Sequence, residues 1–230
     1  MIDLSELSEN VDFTDLTKKY EDAHPTTTLV MGKPAYFLKL TADKPASYFI
    51  PVVVNPDNDI AKLPVHNYVD CGDDVHQSFV CRELKNEECP LCADGLKVSY
   101  KYIFKAIMCQ DEGDNLTPVC DLGDGAYKIE YVTVAKTMKE QLDNLAKVIK
   151  KGYMNSVLCL SRTGEGKLTK YDLQSAQDLP KTTIDGKKMA DLNYEALILG
   201  LKKYPTLQDY VSEMTSDELY AKYIPMADRK

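Results

Sequence analysis

Residues 89–92 read Cys-Pro-Leu-Cys, and no other short stretch restricts the fold of this chain as strongly. Two thiols at this spacing can approach one metal ion from a tight knuckle. Cys81 lies just upstream, and His66 lies further upstream on LPVHNYVDC, residues 63–71, which otherwise reads as a strand. The stretch 72–95 is too polar to bury these cysteines as ordinary apolar side chains. A redox CxxC belongs near the start of a helix in a βαβ unit, and that context is missing. One imidazole and three thiolates complete the tetrahedral shell of a single structural Zn²⁺ and leave no position for a reactive water. Spacing does not choose the fourth ligand, since Cys71 and His76 are also near. His66 is preferred because a ligand on a rigid strand pins the loop to the rest of the fold.

The remaining cysteines agree with a reducing compartment. The total of seven is odd, and Cys109, Cys120 and Cys159 are scattered, unlike the framework of a secreted disulfide protein. They are expected to be small core residues, and His24, beside Pro25, a surface one. No run reaches the roughly 18 uncharged apolar residues of a membrane span, and the opening MIDLSELSENVDF lacks the features of a leader. The expectation is a soluble, cytoplasmic chain.

Strand-like segments dominate the middle. PAYFLKL (34–40) and ASYFIPVVVN (46–55) are rich in aromatic and β-branched residues and read as a pair across TADKP. YKYIFKAIM (100–108) and YKIEYVTV (127–134) follow. From Thr137 the period becomes helical through Met138, Leu142, Leu145 and Ile149, with Thr137 and Glu140 as a capping box and Gly152 as the stop. SVLCLSR (156–162) and LTKYDL (168–173) flank TGEGK as a β-hairpin. After Pro180 the pattern is helical through Leu197 and Leu201, with a second capping box at Thr215 and Glu218. The predicted class is mainly β with helices (α+β). It comprises an acidic segment at 1–32, an OB-like barrel at 33–180 with a zinc subdomain inserted at about 63–95, and a helical appendage at 181–230.

A net charge of −8 argues against nucleic acid until its distribution is considered. Acidic residues concentrate in residues 1–32, 55–95 and 111–127, whereas the predicted strands are basic. Binding single strands requires cations for phosphates and flat rings for unstacked bases. Lys101, Tyr102 and Lys105 supply both on one strand, Phe37 and Lys39 on another, and Arg162, Lys167, Lys170 and Tyr171 on the hairpin. Period-two alternation places Tyr100, Tyr102 and Phe104 on one face and Lys101 and Lys105 on the other, so the rings equally suit a core. The chain has no tryptophan, but 15 tyrosines and 5 phenylalanines offer stacking faces. The paired HxE and PCxxC of zinc deaminases are missing, the proline lying inside the knuckle. No Walker loop, GxSxG or HExxH occurs either, and the expectation is a protein without enzymatic activity.

The order FIPVVVN, strand histidine, lone cysteine and CPLC, followed by YKYIFKAIM, YKIEYVTVAKTMKEQLDNL and SRTGEGKLTKYDL, resembles the zinc-containing single-stranded DNA-binding proteins of tailed bacteriophages. The resemblance spans roughly residues 30–180. It implies an OB-fold core that covers single-stranded DNA during phage replication, recombination and repair in the host cytoplasm, and phage replication or recombination proteins as possible partners. By position, it implies His66, Cys81, Cys89 and Cys92 as ligands and Arg162, Lys167, Lys170 and Tyr171 against the strand. The chain departs from such relatives in its acidic start and in an ending, YIPMADRK, that is not an acidic tail. Self-association is not readable from the sequence. A different class, a zinc-stabilised interaction module of a replication or transcription complex, fits the same metal loop.

Overall fold

The computed structural model describes residues 28–30, 33–35, 37–72, 76–120, 123–149, 152–164, 168–184, 186–204, 206–223 and 225. The fold is mixed α+β and mostly antiparallel sheet. Its strands are β1 (Thr28–Val30), β2 (Lys33–Ala35), β3 (Ala46–Pro51), β4 (Ala61–Asp70), β5 (His76–Val80), β6 (Ser99–Asp111), β7 (Leu116–Pro118), β8 (Ile129–Ala135), β9 (Ser156–Thr163), β10 (Lys170–Asp178), β11 (Lys181–Ile184) and β12 (Lys187–Ala190). Its α-helices are α1 (Pro56–Asp59), α2 (Pro90–Ala93), α3 (Lys136–Asn144), α4 (Tyr194–Lys202), α5 (Leu207–Met214) and α6 (Asp217–Tyr220).

Strand β6 organises the main sheet, whose order is β10-β9-β3-β6-β4-β5 with β7 and β8 also paired to β6. One edge of β6 takes β4 at residues 99–103 and β3 at 106–109, while the other takes β8 at 101–107. These pairings form no closed barrel among the described residues. The predicted partnership of 34–40 with 46–55 is not made among the described residues: β2 pairs with β1, Phe37 bridges Tyr131, and β3 lies between β6 and β9. Both segments have strand composition, but composition does not encode which edge each one meets.

Two layers of core lie on opposite faces of β6. Phe49, Phe104, Val132, Leu158, Leu160 and Leu173 pack together under Leu142 and Ala146, which α3 and its continuation as a π turn at Leu145–Ile149 carry across the sheet. Ile103, Tyr131, Leu63, Val65 and Val80 face the other way and are covered by Tyr210 and Val211 of α5. A third cluster joins Ile107 and Ile129 to Leu197 of α4, where Gly200 is required because a Cβ would meet the Tyr127 carbonyl oxygen at 2.5 Å. Residues after Pro180 therefore contribute to the buried clusters, and they begin as the β11–β12 hairpin rather than as helix.

Helix ends also differ from the sequence pattern. Helix α3 starts after Ala135 with no side-chain cap, so Thr137 and Glu140 do not form the predicted box. The capping box that does form is Thr206 with Asp209 at α5. Thr215 is buried at the end of α5, its hydroxyl donating to the Val211 carbonyl, and Ser216 caps α6. No helix among the described residues is long and apolar enough to cross a membrane.

Candidate metal centre

Strand β4 delivers the histidine. Its burial is double-sided, since Leu63 and Val65 face the cluster under α5 while His66 and Val69 face a fourth cluster with Phe79, Leu91, Cys81 and Cys89. His66 is fully buried and pairs in register with Phe79. A β-bulge follows at once, with Tyr68 at φ 56 and turned to solvent, before Val69 resumes pairing opposite Gln77. The extra residue restores the inward direction of Val69 after His66.

The thiols come from the chain after β5. Cys81 precedes a 3₁₀ turn at Arg82–Lys85 that ends in the left-handed residue Asn86. Cys89 is the N-cap of α2, Pro90 starts the helix without needing a hydrogen-bonded N–H, and Cys92 sits on its single turn. The Cys81 and Cys92 sulfurs are 3.5 Å apart, and the His66 Nε2 lies 3.5 Å from the sulfurs of Cys89 and Cys92. All four donor atoms fall within 4.8 Å of one another. A tetrahedral ion with bonds of about 2.0 Å to nitrogen and 2.3 Å to sulfur separates its ligands by roughly 3.5 to 3.8 Å. The donor set is compatible with one structural metal ion such as zinc. Cys71 is half-buried beside this cluster but is not one of the four, and the side chain of His76 lies outside the described ones.

The electrostatics agree with a site that a cation completes. Burial holds the His66 imidazole below its ordinary pKa, favouring the neutral ring that can ligate. Its Nδ1 makes no hydrogen bond of good geometry, although the backbone of Lys97 and Leu96 is near enough to favour the charged ring. Burial pushes the Cys81 and Cys92 thiols up. The Cys89 thiol is held down: burial opposes its ionisation, but the backbone of Arg82, Cys92 and Leu91 hydrogen-bonds its sulfur and outweighs it. A bound divalent ion reverses the burial penalty for all three thiolates.

The scattered cysteines divide. Cys109 is in the core, its thiol pushed up to about 12 by burial, and Cys159 is half-buried, but Cys120 is exposed. The expectation of a core residue fails for Cys120, which lies past the end of β7 on an isolated bridge to Tyr127 with its side chain exposed. His24 lies outside the described residues.

The residues predicted for a nucleic-acid surface are distributed over several places. Arg162 and Tyr171 are cross-strand partners near the hairpin tip, with Tyr171 and Lys170 exposed and Arg162 half-buried. The tip itself turns through Gly164 at φ 76, where a Cβ would meet the Leu168 carbonyl oxygen at 2.5 Å. Lys167 lies outside the described residues. Phe37 stacks on Tyr131 with centroids 5.2 Å apart and lies 5.2 Å from Tyr210, so it belongs to an internal aromatic group. Lys105 reaches over the Tyr131 ring at 5.6 Å, Lys101 is half-buried opposite Leu63, and Lys39 is exposed. Tyr102 packs at the margin of the Phe104 cluster with the Lys139 ammonium 5.9 Å from its ring.

Sequence reading missed Lys62 and Lys139. The Lys62 ammonium sits 4.6 Å above the ring of Tyr100, which is 53% exposed. The register Lys62↔Tyr102 and Pro64↔Tyr100 puts these side chains on one face, and alternation along β4 puts His66 on that face too. The alternating sequence AKLPVH carries this signal once the partner strand is known. No protein-family model matches the chain, and no curated protein is significantly similar to it.

Proposed function

We propose that the chain binds single-stranded DNA without strong sequence preference and without catalysis, and that one Zn²⁺ on His66, Cys81, Cys89 and Cys92 fixes a subdomain beside the binding face. The carrying observation is the row of Lys62, Tyr100, Tyr102 and Lys139, in which cations lie against tyrosine rings on the strand face that ends at His66. Phosphates and unstacked bases require this combination. Lys170 and Tyr171 are exposed at the hairpin and add a cation and a ring there. Three thiolates and an imidazole at tetrahedral spacing suit Zn²⁺ and exclude the oxygen-seeking Mg²⁺ and Ca²⁺.

An OB-like barrel is the architecture that accompanies this reading. It is supported by the antiparallel strands β3, β4, β6, β8, β9 and β10 and by α3, which covers the Phe104 cluster. Service in phage replication, recombination and repair, beside proteins of those processes, follows from the resemblance of the CPLC knuckle and the RTGEGKLTKY hairpin.

The test measures metal content and oligonucleotide affinity together. One zinc per chain is expected, with log K falling linearly in log salt at about −0.7 per phosphate contact. Stoichiometric zinc without salt-sensitive binding overturns the DNA reading, leaves the metal centre standing and favours the interaction module.

A further inference from the structure

The last described residues close over the metal ligands. Tyr220, only 6% exposed, inserts between Phe79, whose ring meets it edge-on at 5.3 Å, and Arg82, whose guanidinium carbon lies 4.1 Å from its centroid. Its hydroxyl donates to the Val80 carbonyl and lies 3.9 Å from the Cys89 sulfur. Arg82 donates to Asp217 at 2.5 Å, and the Tyr223 hydroxyl donates to Asp94 at 2.5 Å. Val80 and Arg82 flank Cys81, and Asp94 caps the single turn that carries Cys92. Each of these polar contacts ends on one of the four donor residues or within two residues of one.

The knuckle cannot hold this surface by itself. The 3₁₀ turn and α2 have four residues each, far too short to be stable alone, and neither buries more than Leu91 and its cysteines. An ion that ties Cys81 to Cys89 and Cys92 fixes the relative positions of Val80, Arg82 and Asp94. Those positions are the ones that receive Tyr220, Asp217 and Tyr223.

We propose that the metal ion and residues 216–223 act as one coupled unit: the C-terminal segment docks on the metal-ordered knuckle as a clasp and is released when the ion is removed. This rests on the metal reading above. Tyr220 is then a positioning residue for Cys89 and a cover that excludes water from it. Coupling is reciprocal, so the factor by which the ion favours docking equals the factor by which docking tightens the ion.

The test uses the full chain, loaded with Zn²⁺ and after chelation, and reads hydrogen exchange at the amides of Tyr220 and Tyr223 against those of the β3–β9 pairing. Chelation is expected to speed exchange of the two C-terminal amides on the order of tenfold or more, within the usual range of such couplings, while β3–β9 changes less. Tyr220→Ala is expected to weaken zinc, measured by competition with a chromophoric chelator, by the same factor. Tyr223→Phe and Asp217→Asn, which remove edge contacts without emptying the interior, should each weaken it by a smaller factor and serve if Tyr220→Ala does not fold. Zinc bound stoichiometrically with unchanged C-terminal exchange on chelation, or equal zinc affinity in the edge variants, overturns the clasp alone. Failure to bind zinc overturns both the clasp and the metal reading.

Discussion

The Phe104 cluster and the Leu91 cluster each have a fully buried centre, yet they are assembled from different materials. Around Phe104, long strands bring apolar side chains from β3, β6, β8, β9 and β10 under α3. Around Leu91, two short turns bring three cysteines up to the histidine of β4, with Tyr220 and Tyr223 supplying much of the remaining cover. The first is redundant, because many side chains share the burial. The second depends on a few donor atoms, and losing any one leaves buried polar groups without partners.

The largest effect that separates the two regions is expected from His66→Ala or Cys89→Ala. Structural zinc contributes on the order of 10 to 16 kcal/mol in finger peptides, and a chain with its own sheet depends on it less. Either variant should lose stoichiometric metal and lose exchange protection first in residues 76–96, with the β3–β9 amides retained. Equal loss of protection across both regions would break the comparison. Phe104→Ala is the converse: about 3 to 5 kcal/mol in denaturant unfolding, with zinc stoichiometry unchanged in the folded fraction.

A smaller effect is expected on the proposed binding face. Tyr100→Ala should weaken oligonucleotide binding by about 1 to 3 kcal/mol while leaving the unfolding midpoint nearly unchanged, since its ring is half exposed. A midpoint shift as large as that of Phe104→Ala would make Tyr100 part of the core instead.

The smallest lies outside both clusters. Burial acts to raise the Asp124 carboxyl, but Lys203 at 2.8 Å and the Ala126 N–H hold it below its ordinary value. A depressed folded pKa stabilises above the unfolded value and is lost as pH falls through the folded one. Asp124→Asn should therefore cost about 0.5 kcal/mol or less near neutral pH, given its exposure, and nothing once the carboxyl is protonated. A cost that persists in acid would assign the effect to something other than this ion pair.

Much of the candidate metal centre was legible because its chemistry is local: Cys81, Cys89 and Cys92 are thiols at a knuckle spacing, while His66 is preferred over Cys71 and His76 for its strand position and not by spacing. Strand segments were legible as well, since ASYFIP and YIFKAIM carry β-branched and aromatic residues at period two. Their pairing was not, because Phe49 meets Met108 and Leu158 only through contacts distant in sequence. The same limit hid Lys62 over Tyr100 and Tyr220 over Cys89, which are juxtapositions of the fold rather than of the chain. Residues Lys181–Ala190 read as helical yet form a hairpin, with Ala190 and Leu192 buried against Ile50 and Ile107. Packing overrode weak local preference there.

The separation of the four donors from their cover has a consequence during synthesis. All four lie between residues 66 and 92, so they leave the ribosome while β8, β9 and β10 are still unmade. An ion can be captured at that stage by a nascent segment whose strand neighbours are missing. Tyr220 is made well after the four donors, so a metal held by them in the nascent chain would be enclosed only later, and a cell short of the ion at the moment of translation would make chains in which residues 216–223 have nothing to close upon.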